Sequence, residues 1–68
     1  MAVRLTINGE AREVNGVGDI ADLIAHLGLD VRKLAIERNL EIVPRSLYGA
    51  TPLADGDRIE IVHFIGGG

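Results

Sequence analysis

The sequence has only one segment with the period of an amphipathic helix. After Asp19, apolar residues recur with the spacing of one helix face, and they are Ile20, Leu23, Ile24 and Leu27. Asp19 can cap the first turn, and Gly28 is suited to end the helix. In a chain of 68 residues, a single helix can cover only one face of a sheet. The sequence therefore predicts an α+β fold in which the other sheet face is uncovered.

The N-terminal segment predicts a β-hairpin. Its first residues alternate apolar and polar side chains and are followed by Asn8-Gly9, the dipeptide that most favours a two-residue turn with positive φ. Such a turn sets Val3 opposite Val14, which pairs two apolar residues. It also sets Arg12 opposite Leu5, a mismatch that needs either a solvent-directed arginine at the sheet margin or a longer loop.

The remaining elements are predicted from the same kinds of signal. They are strands at 34–38, 41–43 and 58–65, a single turn at 46–49, and a tight turn at Asp55-Gly56-Asp57 before the last strand. The element order predicts a mixed sheet of four to five strands with one helix packed across one face.

Composition excludes several classes of function. The chain has no cysteine, so disulfides and thiolate metal sites are excluded, and a formal net charge of −3 without a basic stripe argues against nucleic acid. No apolar stretch approaches the roughly 20 residues of a membrane span, and no secretory signal is recognisable. We expect a single-domain cytoplasmic protein that is monomeric when free and does not associate with membranes.

The predicted last strand is followed directly by Gly66, Gly67 and Gly68. Glycine loses more conformational entropy on ordering than any other residue and adds no packing, so the stability of the fold does not explain three in a row. Glycine does allow a backbone to enter a passage too narrow for a Cβ atom. We therefore expect residues 1–65 to form the domain and residues 66–68 to form a flexible tail that presents the Gly68 carboxylate to a partner.

The titratable residues do not form a catalytic constellation. His26 lies on the polar side of the predicted helix and His63 lies in the last strand, with no cysteine and no nucleophile motif nearby. Asp55 and Asp57 flank one glycine, but the other ligands of a calcium loop are missing. We therefore predict no catalytic residue and no metal site.

The last predicted strand has apolar side chains on both faces. Ile59 and Ile61 share one face, which leaves Val62 and Phe64 on the face that a single helix cannot cover. An exposed aliphatic and aromatic pair next to a glycine tail favours a docking surface over a sheet that is buried on both sides. We predict that Val62, Phe64 and Ile65 form this surface.

Several segments together resemble a known family. They are Ile7-Asn8-Gly9-Glu10 in the first hairpin, Leu23-Ile24-Ala25-His26-Leu27-Gly28 in the helix, Ile36-Glu37-Arg38-Asn39 with Ile42-Val43-Pro44-Arg45 in the middle, and residues 55–68 at the end. The chain resembles the ThiS family, the sulfur carrier proteins of thiamin biosynthesis within the ubiquitin-like β-grasp proteins. The resemblance spans essentially the whole chain, and the terminal segment is its most specific part.

The resemblance implies a β-grasp fold and a carrier role without catalysis. A ThiF-type adenylyltransferase would use ATP and magnesium to convert the Gly68 carboxylate into an acyl adenylate, and a sulfur donor protein would then replace AMP. The resulting thiocarboxylate would supply sulfur to a ThiG-type thiazole synthase, which forms the thiazole moiety of thiamin. Gly66 and Gly67 would thread into the partners' active sites, and the carrier itself would bind no cofactor.

Three alternatives are compatible with the glycine tail. The small subunit of molybdopterin synthase shares the carboxyl chemistry and differs in the acceptor, and a ubiquitin-like modifier would join Gly68 to a lysine of a target. A passive β-grasp interaction domain would not need the tail. The likeness of residues 61–68 favours the thiamin sulfur carrier.

Overall fold

The structure, a computed structural model, describes residues 2–64. The strands are β1 (Ala2–Ile7), β2 (Glu10–Asn15), β3 (Leu34–Arg38), β4 (Glu41–Val43) and β5 (Asp57–His63), and the helix α1 is Ile20–His26. Two 3-10 helices, Val31–Lys33 and Arg45–Ala50, precede β3 and follow β4. The α+β class and the order of strands and helix are confirmed.

The five strands form one mixed sheet in the order β2-β1-β5-β3-β4. β5 lies in the middle, where it runs parallel to β1 and antiparallel to β3. The first hairpin has the predicted register, with Val3 opposite Val14. Its turn has a φ of 50° at Asn8 and 80° at Gly9, the left-handed conformation for which this dipeptide is suited.

Arg12 lies opposite Leu5, as the two-residue turn requires. Leu5 is buried on the helix side of the sheet, whereas Arg12 is exposed on the edge strand β2. Within β2 only Val14 is buried. The mismatch is therefore accommodated at the sheet margin, where the arginine reaches solvent, and not by a longer loop.

Helix α1 has only 7 residues and is capped at both ends. The Asp19 carboxylate accepts a hydrogen bond from the Asp22 N–H at 2.8 Å, as an N-cap residue does. Gly28 has a φ of 70°, and the N–H groups of Gly28 and Leu29 donate to carbonyls of the last turn in the pattern of a Schellman motif. A helix this short is not stable alone, so its stability comes from packing on the sheet.

The core lies between α1 and one face of the sheet. Ile20 and Leu23 of α1, together with Ile36 of β3 and Ile59 of β5, are the most deeply buried members of one apolar cluster. The 3-10 helix after β4 adds the buried ring of Tyr48. The other buried apolar residues of the core are aliphatic.

Two segments differ from the sequence prediction. The connection after β4 is a six-residue 3-10 helix, Arg45–Ala50, and not a single turn. Asp57 is not a turn residue, because it begins β5 and is buried. The turn is confined to Asp55 and Gly56, which has a φ of 89°. The start of β5 is shifted because hydrogen bonds to the Asp57 carboxylate, described below, hold this residue inside the fold.

Leu23→Ala is expected to unfold much of the population. Leu23 is fully buried, and a buried leucine-to-alanine change costs about 2–5 kcal/mol in a domain whose core supplies roughly 3–5 kcal/mol in total. Leu27→Ala is the matched control, since Leu27 is only partly buried and should lose less. Urea titration of both variants measures this difference, and equal midpoints would contradict the assignment of the buried face of α1.

Candidate functional site

The candidate site is the C-terminal part of β5, the segment that precedes the three glycines. Side chains alternate along this strand, so that Ile59 and Ile61 are buried in the core while Val62 is exposed on the opposite face. The two faces of one strand therefore serve different purposes. One holds the fold together, and the other is open to contact by a partner.

Val62 and Phe64 are 56% and 53% exposed. The Phe64 N–H donates to the Lys33 carbonyl at 2.8 Å, so the backbone remains attached to the β3 side as far as residue 64. The structure thus brings two of the three predicted docking residues together at the surface. Ile65 and the tail residues 66–68 lie outside the described residues, and the docking role stays a prediction.

The side chain of Asn8 takes the place of a neighbouring strand on the β1 side of β5. β1 ends at Ile7, and the Asn8 N–H donates to the Ile59 carbonyl at 2.9 Å. The Asn8 side chain then accepts from the Ile61 N–H at 2.7 Å and donates to the Ile61 carbonyl at 3.2 Å. The amide therefore extends the pairing of β5 by one further step, to Ile61.

Asn39 holds the other edge of β5. It lies in the turn between β3 and β4, where its N–H donates to the Arg58 carbonyl at 2.8 Å and its Oδ1 accepts from the Arg58 N–H at 2.9 Å. Its Nδ2 donates to Asp57 Oδ1 at 3.0 Å. The turns of the two hairpins thus bind opposite edges of the same strand through equivalent asparagine side chains.

Asp57 is a buried charged residue at the start of β5. Its carboxylate accepts hydrogen bonds from Arg38 Nε at 2.9 Å, from Asn39 Nδ2 at 3.0 Å and from the Ala54 N–H at 2.9 Å. Burial raises the pKa of this carboxyl, but hydrogen bonds from Asn39, Ala54 and Arg38 outweigh burial and hold the pKa below its ordinary value of 3.8. The ionised carboxylate ties β5 to the second hairpin.

Sequence reasoning identified Asn8 as a turn residue, placed Asn39 between two predicted strands, and missed the contacts of both side chains with β5. A signal is present, because Asn8-Gly9-Glu10 and Asn39-Leu40-Glu41 repeat the same Asn-x-Glu pattern at the two hairpin turns. Leu40 occupies the glycine position of the second turn with a φ of 71°, a conformation that costs a residue with a side chain about 1–2 kcal/mol. The second turn therefore keeps its shape despite an unsuitable residue.

The other candidate residues lie apart. His26 is in the last turn of α1, His63 is at the end of β5, and Asp55 accepts a hydrogen bond from the Arg4 N–H at 2.8 Å. Within residues 2–64, no group of three or more potential metal-ligating side chains occurs. In the same part of the chain, no helix has the length and apolar character needed to cross a membrane.

A five-stranded mixed sheet with one helix packed across it is the ubiquitin-like β-grasp fold. The crystal structure of the thiamine biosynthesis protein ThiS from Geobacter metallireducens matches it with a TM-score of 0.82 at 32% sequence identity, covering 97% of this chain and 100% of that one. The sequence model of the ThiS family matches residues 5–68. The chain therefore belongs to the ThiS family, as the sequence resemblance indicated.

Two curated relatives differ in length. The sulfur carrier protein ThiS of Bacillus subtilis is 42% identical over 65 residues, which cover 94% of this chain and 98% of that protein. A thiazole synthase of Paramagnetospirillum magneticum is 52% identical over 66 residues, which cover 97% of this chain but only 20% of the synthase. The chain thus spans about a fifth of one relative and nearly all of the other.

Asp57→Asn is expected to lower the free energy of unfolding at neutral pH by about 1–3 kcal/mol, because charged hydrogen bonds are lost from a buried site. The folded-state pKa of Asp57 is depressed, so its contribution is complete above the unfolded pKa of 3.8 and disappears as the pH falls through the folded pKa. The stability difference between wild type and variant should therefore shrink below about pH 4.

Denaturant titration across pH 2–7 measures that difference. Asp30 also affects how the free energy of unfolding of both proteins depends on pH in the acid range, since the side-chain hydrogen bond from Arg32 lowers the pKa of Asp30 to about 2. Only the difference between wild type and variant reports on Asp57. A difference that is constant over the whole pH range would contradict the assignment of an ionised Asp57 in the folded protein.

Proposed function

We propose that this chain is a sulfur carrier protein whose Gly68 carboxyl group carries the sulfur used to form the thiazole moiety of thiamin. The observation that carries the proposal is the match of the ThiS family through residue 68, combined with the near full-length likeness to a Bacillus subtilis protein named as a sulfur carrier. The likeness to a thiazole synthase supports a ThiG-type enzyme as the acceptor of the sulfur.

The proposed chemistry has two steps at the tail. A carboxylate oxygen of Gly68 attacks the α-phosphorus of ATP in a ThiF-type adenylyltransferase, with magnesium bound by that enzyme, and pyrophosphate leaves. A hydrosulfide ion delivered by a donor protein then attacks the acyl carbon, and AMP leaves, so that no oxidant or reductant is needed. The product is a thiocarboxylate, which thiazole synthase consumes.

In this proposal the carrier is a co-substrate and not an enzyme. Activation of an acyl group requires a good leaving group and access to the acyl carbon, and the partners supply both. The carrier contributes a rigid base for the tail, because β5 is held on one side by Asn8 and on the other by β3. The cytoplasmic location and the monomeric state stay predictions.

Intact-mass measurement of protein isolated from its source organism tests the proposal. The expected species ends at Gly68 and has one oxygen replaced by sulfur, in a fraction that rises when the adenylyltransferase and the sulfur donor are present together. Conjugates joined to lysines of other proteins would support a ubiquitin-like modifier instead. Sulfur transfer to a molybdopterin precursor, without transfer to thiazole synthase, would support a molybdopterin synthase subunit.

Gly67→Val is expected to abolish adenylation while leaving the fold intact. A Cβ atom would block a passage shaped for glycine, and a glycine at position 67 contributes no side chain to the packing of the fold. Deletion of Gly68 should have the same effect, because it moves the carboxylate by up to about 3.6 Å. ATP–pyrophosphate exchange measures adenylation, and thermal unfolding controls for the fold. Normal exchange by either variant would contradict the role of the tail.

We further propose that Val62 and Phe64, with Ile65, dock the carrier on its partners through the uncovered sheet face. An exposed aromatic side chain beside the tail has the position and chemistry of an interface anchor. The glycines follow Phe64 after one further residue in the sequence, so that docking there would bring the start of the tail close to the partner.

Phe64→Ala is expected to weaken binding to both the adenylyltransferase and the thiazole synthase by roughly thirtyfold, equivalent to about 2 kcal/mol. Leu47→Ala is the matched control, because Leu47 is 48% exposed in the 3-10 helix after β4 and does not lie on β5. Titration calorimetry with circular dichroism as the folding control distinguishes the two variants. Equal affinities for wild type and Phe64→Ala would assign the docking surface elsewhere.

A further inference from the structure

We propose that a groove beside the end of β5, on the helix side of the sheet, binds an extended segment of a partner protein that carries an acidic side chain next to an apolar one. The groove has a volume of about 340 Å³. Its apolar lining includes Leu27, Leu29 and Ile61, while Arg12 provides a cation and His63 a hydrogen-bonding group. It lies on the opposite side of β5 from Val62 and Phe64.

The backbone of β5 offers an open edge at this groove. The backbone groups of alternate residues in a strand point to the same side, and those of Ile59 and Ile61 point towards β1 and Asn8. The N–H and C=O of His63 therefore point the same way. β1 ends at Ile7 and the Asn8 side chain reaches only Ile61, so no strand within residues 2–64 pairs with His63 on this side.

The β3 side of the same segment is already occupied. His63 lies opposite Leu34, and the Phe64 N–H donates to the Lys33 carbonyl. Leu34 and His63 are thus a non-hydrogen-bonded pair, in which the backbone N–H and C=O groups of each residue point away from the other residue. An additional strand can bind β5 here from one side only, which is the side of the groove.

Arg12 gives the groove its charge. It is the arginine that stands opposite Leu5 on the helix side of the sheet, where the pattern of β2 would favour an apolar residue. Among residues 2–64, its guanidinium takes part in no ion pair, although Glu10 lies two residues away on the same side of β2. The groove lining contains no acidic side chain among these residues.

The open backbone edge, the apolar lining and the charge of Arg12 together indicate which kind of peptide segment would bind in the groove. An extended segment can form backbone hydrogen bonds to His63 by strand addition, and its side chains then alternate between the groove and solvent. An apolar side chain fits against Leu27 and Leu29, and a carboxylate complements Arg12. A basic segment would be disfavoured at the same position, since like charges repel.

This inference rests on the proposed function, because the partner is taken to be the adenylyltransferase or the thiazole synthase that acts on the tail. The groove is a second contact surface for the partner, in addition to the docking face that carries Val62 and Phe64 on the opposite side of β5. A partner that holds both sides of β5 would fix the direction in which the strand continues.

The test compares Arg12→Glu with Arg45→Glu in the intact chain. Both substitutions change the net charge equally, and Arg45 is an exposed residue at the start of the 3-10 helix after β4, off β5 and outside the groove lining. We expect Arg12→Glu to raise the dissociation constant for at least one of the two enzymes roughly tenfold, mainly through slower association, and to reduce its dependence on salt. We expect Arg45→Glu to bind like wild type.

Amide hydrogen exchange of the wild-type chain provides a readout that needs no variant. The His63 amide has no hydrogen-bond acceptor among residues 2–64, and it should exchange quickly in the free protein and at least about tenfold more slowly in the complex. The Asn39 amide, which donates to the Arg58 carbonyl at the other end of β5, serves as the internal reference.

The outcomes separate this inference from the proposed function. Binding by wild type with equal effects of the two arginine variants, or with unchanged exchange at His63, overturns the groove and leaves the carrier function intact. Failure of wild type to bind either enzyme overturns both. Thermal unfolding of each variant confirms that a loss of affinity is not a loss of fold.

Discussion

The pairing of β5 with both hairpins holds this protein together. In the sheet, β1 with β2 and β3 with β4 are joined to each other only through β5. An isolated two-stranded hairpin is marginally stable at best in water, so neither hairpin is expected to persist without this strand. The burial of Ile59 and the hydrogen bonds made by the side chains of Asn8, Asn39 and Asp57 all stabilise this one junction.

The sequence predicted the elements whose signals are local. The turn at Asn8-Gly9, the capped helix after Asp19 and the bounds of β3 and β4 each follow from a few adjacent residues, and the structure confirms them. The role of Asp57 could not be predicted in this way. Its hydrogen-bond partners Arg38 and Asn39 lie 19 and 18 residues away, and an aspartate beside a glycine is otherwise typical of a turn.

The candidate site was predictable to a smaller extent. Strand parity placed Val62 and Phe64 on the uncovered face because a strand has a fixed period of two. Arg12 was recognised only as a mismatch, since the sequence does not show which part of the edge strand the short helix α1 leaves uncovered. A residue that breaks the pattern of its own strand can therefore mark a surface whose use depends on other molecules.

The position of β5 in the chain also has a consequence for folding. β5 follows both hairpins in the sequence, yet it lies between them in the sheet. The hairpins can form from local contacts, but the sheet closes only when this late segment inserts, which is a long-range and comparatively slow event. The same insertion creates the exposed pair on one face of β5 and the open backbone edge at His63 on its β1 side. A partner that requires both features would therefore distinguish a completed fold from an incomplete one, and the carrier would be usable only once its last strand is in place.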